Sequence, residues 1–227
     1  MNGIDANDFA GFHVSGAGDV NGDGFDDVII GALSADPNGS ASGETYVVFG
    51  GASFSATLAL STLNGTNGFR LDGTDATDQS GISVSQAGDL NGDGFADLII
   101  GANLADAGGS ASGEAYVVFG KSTAFSATIA LCTLDGTSGF RIDGTTAGGN
   151  AGQAVSGVGD VNGDGYDDVA VGAYKAGSGG QTYIIFGNAS VGSTGALDLS
   201  TLNPSDGFRL DGGAANDYAG RAVSGAG

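Results

Sequence analysis

Tryptophan is absent from this 227-residue chain, cysteine and histidine occur once each, and proline occurs twice. Lysine and arginine together number six against 26 acidic residues, a formal charge of −20. Each shortage excludes something. A lone cysteine, Cys132, forms no intramolecular disulfide. It stands in IALCTLDG where sister segments carry Ser61 and Ser200, which reads as a packing position of serine type. A lone histidine, His13, excludes a histidine-rich metal site, and no Ser-His-Asp set can recur. So few cations on so acidic a chain exclude nucleic acid and anionic membranes as partners. No apolar run approaches the ~18 residues that span a bilayer, so membrane insertion is not expected. The opening residues MNGIDANDFAG have neither the basic stretch nor the apolar core of a secretory leader.

What is abundant is glycine, 46 residues, and aspartate, 24 against only Glu44 and Glu114. Glycine follows no strict third-residue period, which excludes collagen. Aspartate and glycine favour turns and caps over helix interiors, and good helix formers are scarce. Apolar residues still make up 41% and mean hydropathy is +0.10, so the chain has the material for a core. The composition points to an all-β protein with many turns.

The order of the residues says more, because the chain repeats itself. GDVNGDGFDDVIIGA begins at Gly18, GDLNGDGFADLIIGA at Gly88 and GDVNGDGYDDVAVGA at Gly159. TYVVFG from Thr45, AYVVFG from Ala115 and TYIIFG from Thr182 keep the same phase, as do GFRLDG, GFRIDG and GFRLDG from Gly68, Gly139 and Gly207. A fourth unit opens with ANDYAGRAVSGAG at 215–227, mirroring ANDFAGFHVSGAG at 6–18.

Each period reads as four short strands: around Val14-Ser15, from Asp27 to Leu33, from Thr45 to Phe49, and from Phe69 to Leu71, with counterparts in the later repeats. The second and third are runs of β-branched and aromatic residues, the pattern of strands buried on both faces. Four antiparallel strands per ~70 residues, repeated, is what a β-propeller blade requires. The expected blades run over about 8–73, 78–143 and 149–212, with a partial repeat over 213–227, all in one segment over 1–227. A parallel β-helix is the alternative, although its repeats are much shorter. The connections to the fourth strand carry ALSTLNG-like segments suited to a short helical turn.

Three times the chain gives Asp-x-Asn-Gly-Asp-Gly-aromatic-x-Asp. The candidate ligands are Asp19, Asn21, Asp23 and Asp27; Asp89, Asn91, Asp93 and Asp97; and Asp160, Asn162, Asp164 and Asp168. Alternate oxygen-bearing residues let a tightly curled loop turn its oxygens inward, and Ca²⁺ takes six to eight oxygens, some from backbone carbonyls. The carbonyls of Phe25, Phe95 and Tyr166 are the natural additional donors. Gly24, Gly94 and Gly165 supply the sharp turn. An EF-hand would place a bidentate Glu at position 12, where this chain has Ile30, Ile100 and Val171. Three Ca²⁺ ions would reduce the repulsion among clustered carboxylates and take the charge from −20 to about −14.

These motifs make the sequence similar to the FG-GAP repeats of the integrin α-subunit β-propeller and its bacterial relatives. The opening Gly-x-x-Val of that repeat stands at Gly11 to Val14, Gly81 to Val84, Gly152 to Val155 and Gly220 to Val223. The Gly-Ala that follows the loop is at Gly31-Ala32, Gly101-Ala102 and Gly172-Ala173. The name motif's Phe is replaced by Ala10, Ser80, Ala151 and Ala219, and its Pro by Leu33, Asn103 and Tyr174, none of them a calcium ligand. The resemblance implies a calcium-binding propeller segment of a surface or secreted repeat protein. It would be extracellular and not an enzyme, an adhesion module for a protein or glycan ligand. A passive spacer, or a lectin-like part of a secreted enzyme, is the alternative. Closed propellers usually have four to eight blades, so three leave apolar end faces. Further repeats in a longer array, or two chains joining into a six-bladed ring, would cover them.

Arg70, Arg141 and Arg209 recur at one strand position. They are read as charges that guard an edge strand or pair with a neighbouring Asp, against an anion-binding ring. Asn38-Gly-Ser, Asn64-Gly-Thr and Asn188-Ala-Ser fit a glycosylation sequon, which loops of this composition form by chance.

Overall fold

The computed structural model describes residues 4–226, so the last residue of the expected partial repeat, Gly227, lies outside the described residues. The first repeat forms β1 (His13–Gly18), β2 (Asp27–Ala32), β3 (Glu44–Val48) and β4 (Gly68–Asp72). The second forms β5 (Ser83–Gly88), β6 (Asp97–Ala102), β7 (Glu114–Val118), β8 (Thr128–Ala130) and β9 (Gly139–Asp143). The third forms β10 (Ala151–Gly159), β11 (Asp168–Ala173), β12 (Gln181–Ile185), β13 (Ala196–Asp198) and β14 (Gly207–Asp211). Each repeat folds an antiparallel four-stranded meander: β1-β2-β3-β4, β5-β6-β7-β9 and β10-β11-β12-β14. These are propeller blades, and the three sheets do not join into one closed sheet.

The connection to the fourth strand does more than turn. In the second repeat it supplies β8, which leaves its own blade and pairs in parallel with β4 of the first, Leu71 opposite Ile129. In the third repeat β13 does the same to β9, Ile142 opposite Leu197. Blades 1 and 2 therefore carry a fifth strand donated by their successor. A 3-10 turn follows at Leu60–Thr62, Leu131–Thr133 and Leu199–Thr201. Only its first leucine is buried. Cys132, like Ser61 and Ser200, is exposed, so the expected packing position is a surface one.

Strand periodicity sends alternate side chains to opposite faces. Ile29, Val47, Phe69 and Leu71 of blade 1 meet Leu98, Ile100, Tyr116 and Val118 of blade 2 in one core. The other face of blade 2, with Ile99, Val117, Phe140 and Ile142, meets Val169, Val171, Tyr183 and Ile185 of blade 3. Burying each such side chain contributes about 1.5–3 kcal/mol. The inner strands β1, β5 and β10 lie side by side. Their approach explains the Gly of each Gly-Ala pair: a Cβ on Gly31 or Gly101 would lie 2.0 or 1.9 Å from the carbonyl oxygen of Gly81 or Gly152 in the next repeat.

Candidate metal centre

Each acidic loop is the hairpin connection between a blade's first two strands: residues 19–26 join β1 to β2, 89–96 join β5 to β6, and 160–167 join β10 to β11. Gly24, Gly94 and Gly165 take φ of +87°, +91° and +94°, a left-handed conformation that strains any other residue.

The side-chain oxygens organise the loop's own backbone. In loop 1 the Asp23 N–H donates to both Asp19 Oδ1 at 3.0 Å and Asn21 Oδ1 at 2.9 Å. Gly24 N–H donates to Asp19 Oδ2 at 2.8 Å and Phe25 N–H to Asp23 Oδ1 at 2.9 Å. Loop 2 repeats this with Asp93 N–H to Asp89 and Asn91, Gly94 N–H to Asp89 and Phe95 N–H to Asp93. Loop 3 repeats it with Asp164 N–H to Asp160 and Asn162, Gly165 N–H to Asp160 and Tyr166 N–H to Asp164. In every loop the oxygens of positions 1 and 3 thus meet at the N–H of position 5, whose own carboxylate accepts the N–H of position 7 and the Asn amide of position 3.

The carboxylate at position 9 is different. Asp27, Asp97 and Asp168 are buried, and each accepts one N–H from its loop and one from beyond the third strand. Asp27 takes Val20 at 3.0 Å and Gly50 at 2.7 Å; Asp97 takes Leu90 and Gly120, both at 2.9 Å; Asp168 takes Val161 at 2.8 Å and Gly187 at 2.9 Å. Burial pushes Asp27 up to about 6 and Asp97 up to about 7, and raises Asp168. The N–H donors pull these carboxyls down again, while the charges at positions 5 and 1 add to the rise.

Among the described residues, no three Asp, Glu, His or Cys side chains converge into a metal-sized cluster. Positions 1, 3 and 5 do come together, whereas both oxygens of the position-9 carboxylate are engaged by backbone N–H groups. The donor set is nonetheless all oxygen, and each oxygen bound to one N–H keeps a second lone pair. That chemistry suits a hard cation and offers nothing to a soft one.

Contacts between loops are absent from the motif itself. The Phe95 ring of loop 2 covers Gly22 of loop 1, where a Cβ would lie 2.4 Å from the ring, and Tyr166 of loop 3 covers Gly92 of loop 2 at the same distance. Position 8 also reaches across: Ala96 N–H donates to Asp19 O and Asp167 N–H to Asp89 O, each at 3.2 Å. The Asp167 carboxylate in turn accepts the Asp89 N–H at 2.8 Å. The signal of this in the sequence is that position 8 changes between charged and apolar, as Asp26, Ala96 and Asp167, while positions 2 and 7 vary only between similar residues.

The arginines pair locally. Arg70, Arg141 and Arg209 each donate Nη2 to the Asp two residues on, Asp72, Asp143 and Asp211, at 3.0 Å. Their strand position is thus a local ion pair and not an anion ring. The chain's two glutamates occupy one buried position, Glu44 and Glu114, accepting from Tyr46 and Tyr116. Burial holds both carboxyls above the usual range. Blade 3 replaces this pair with the neutral Gln181 and Tyr183, at 2.8 Å. No helix among the described residues is long and apolar enough to cross a membrane.

Comparison with known proteins agrees with this repeat geometry. Residues 10–48, 80–118 and 151–185 each match the FG-GAP repeat, every match running from the blade's opening through its third strand. Integrin alpha pat-2 of Caenorhabditis elegans is 33% identical over 176 residues, 70% of this chain and 13% of that protein. Integrin alpha-6 of Gallus gallus is 37% identical over 101 residues, 44% of this chain and 8% of its own length. Integrin alpha-4 of Xenopus laevis is 30% identical over 169 residues, 71% of this chain and 14% of its own length. The chain therefore spans a small part of each relative. With three matched repeats, three meander blades and integrin α-subunits as relatives, the chain belongs to the integrin α-like FG-GAP repeat proteins.

Proposed function

We propose that this chain is a calcium-binding propeller segment of an extracellular or cell-surface protein, and that its blades present a surface for a protein or glycan ligand. One observation carries the calcium reading: three loops of near-identical sequence share the same pattern of N–H bonds, each linking Asp, Asn and Asp side chains beside a buried Asp. Asp19, Asn21, Asp23, the Phe25 carbonyl and Asp27 would hold one ion. Asp89, Asn91, Asp93, the Phe95 carbonyl and Asp97 would hold a second, and Asp160, Asn162, Asp164, the Tyr166 carbonyl and Asp168 a third. A bound Ca²⁺ supplies positive charge where carboxylates repel one another. The chain's own part is to hold the hairpin in shape through the N–H bonds of positions 1, 3 and 5. Position 9 ties that hairpin to the end of the third strand.

Isothermal calorimetry of calcium into the calcium-free chain is expected to give three sites; a stoichiometry near zero overturns the reading. The near-identity of the blades favours a second function, a rigid spacer with no ligand of its own. A glycan array and a partner pull-down, each with and without calcium, separate binder from spacer.

A further inference from the structure

Loops 1 and 2 are each overlaid by the loop of the following blade, so both junctions lie inside the chain. They agree in most respects. Position 7 of the following loop covers the glycine at position 4, Phe95 over Gly22 and Tyr166 over Gly92. Position 8 of the following loop donates its N–H to the carbonyl of position 1, Ala96 to Asp19 and Asp167 to Asp89, each at 3.2 Å. The side chain at position 8 sets them apart. Asp167 Oδ2 accepts the Asp89 N–H at 2.8 Å, so both backbone groups of Asp89 are held by one residue of blade 3. Ala96 has no oxygen to return to Asp19.

Packing puts the two side chains in the same place. A Cβ on Gly88 would lie 2.5 Å from the Asp167 Cβ and 2.2 Å from its Oδ2, and a Cβ on Gly18 would lie 2.6 Å from the Ala96 Cβ. Each thus leans on the glycine before position 1, and only the aspartate is long enough to close a bond. Blade 3 also leaves room for it. Gly157, opposite Val169, stands where blade 2 has Gln86, opposite Leu98. The Gln86 Oε1 comes within 3.4 Å of the Cβ position of Gly18.

Building on the calcium reading above, we propose that Asp167 is a positioning residue for the site of loop 2, supplied by the neighbouring blade, and that it raises that site's affinity for calcium. Asp89 opens the ligand set, and its two carboxylate oxygens accept the N–H groups of Asp93 and Gly94. Those bonds aim its side chain, and the two bonds to Asp167 fix its backbone. Fixing one residue's backbone costs about 1–2 kcal/mol of conformational entropy. A ligand fixed before the ion arrives leaves less of that cost to binding, and calcium affinity follows the rigidity of the site. Site 2 is in this sense shared between blades 2 and 3, although all of its ligands lie in one hairpin.

NMR of the full chain tests this, because the amide signals of Gly24, Gly94 and Gly165 report the three loops separately in a calcium titration. Potassium chloride at about 0.5 M keeps the screening length below about 10 Å and mutes a mere charge effect. Asp167→Ala is expected to weaken binding at Gly94 about tenfold, the low end for a hydrogen bond to a charged group, and to leave Gly24 unchanged. Asp167→Asn should lose less than about threefold, since its amide oxygen still accepts the Asp89 N–H. Ala96→Asp with Gln86→Gly, which gives loop 1 the same contact, should tighten binding at Gly24. In chelator, the Asp89 amide should exchange with solvent faster in Asp167→Ala than in the unaltered chain, a readout that needs no ion. Circular dichroism verifies that each variant folds. Binding at Gly94 that Asp167→Ala leaves unchanged overturns the proposal and spares the calcium reading. So does an Asn variant as weak as the Ala variant, an equal loss at Gly24, or no gain from Ala96→Asp with Gln86→Gly. An unaltered chain that binds no calcium at any loop overturns both.

Discussion

Gly-Phe-Arg-Leu-Asp stands at 68–72 and again, residue for residue, at 207–211. In β4, Phe69 and Leu71 are fully buried, while in β14 Phe208 and Leu210 are 43% and 52% exposed. Both strands pair in the same register with the third strand of their own blade. The difference is the neighbour: blade 2 lays β8 and Phe125 over β4, and among the described residues no blade does so for β14. Burial in a propeller strand is decided by the next blade and not by the strand's own residues. The same holds for the loops, where Gly22 and Gly92 are covered and Gly163 is open.

On the proposed calcium reading, withdrawing calcium has the largest expected effect, because all three loops would lose a ligand together. At calcium 100 times Kd each filled site contributes about 2.7 kcal/mol, so chelation should lower Tm clearly in a calorimetric scan. Asp93→Ala in the covered loop should remove more of this than Asp164→Ala in the open one. Equal losses would show that neighbour contacts do not matter to the loops, and no change in Tm would count against calcium itself.

Next in size is the strand pair. Phe69→Ala should cost about 3–5 kcal/mol in urea unfolding, since it empties a packed site. Phe208→Ala, measured at dilution, should cost under about 0.5 kcal/mol. Similar costs would break the comparison.

A smaller effect is expected at the loop glycines. Gly92 and Gly163 have φ of +75° and +78°, so alanine strains both equally, by about 1–2 kcal/mol. Only at Gly92 does the new Cβ also meet a ring, that of Tyr166 at 2.4 Å. Gly92→Ala should therefore unfold at lower urea than Gly163→Ala by about another 1 kcal/mol.

The smallest effect is electrostatic. Asp78 and Asp217 hold equivalent turns through the N–H groups of Asp75 and Ala214, but Asp78 is buried and Asp217 exposed. Burial pushes Asp78 up to about 6 from 3.8. A carboxyl raised on folding favours the fold while protonated, so its contribution falls as pH rises from about 4 to about 6. Asp78→Asn should then gain about 1 kcal/mol at pH 7.5 relative to pH 4, once solvent screening is allowed for, and Asp217→Asn nothing. Melting of both variants in chelator at the two pH values checks this.

The blade's four strands were legible because alternation and β-branched runs are local and were written three times over. The loops were legible because an Asx residue at every second position bends its own backbone. The fifth strand was not. Thr128–Ala130 is only three residues, Thr-Ile-Ala, and its strand character comes from pairing with β4 in another blade. Cys132 looked like a packing residue because it replaces serine in a repeated segment, yet the turn buries Leu131 and faces its neighbour outward. The arginines were legible as local pairs, since a strand places residue i+2 on the same face.

By itself the sequence determined the repeat, the strand content and the three acidic hairpins, since each depends on side chains acting within a few residues of one another. The tertiary structure decided which of three near-identical blades has buried faces, which loop rests beneath its successor's aromatic ring, and that Asp167 of one hairpin reaches Asp89 of another. Those outcomes depend on what stands beside a blade. Equal repeats carry equal local instructions, and only their places in the row make them differ.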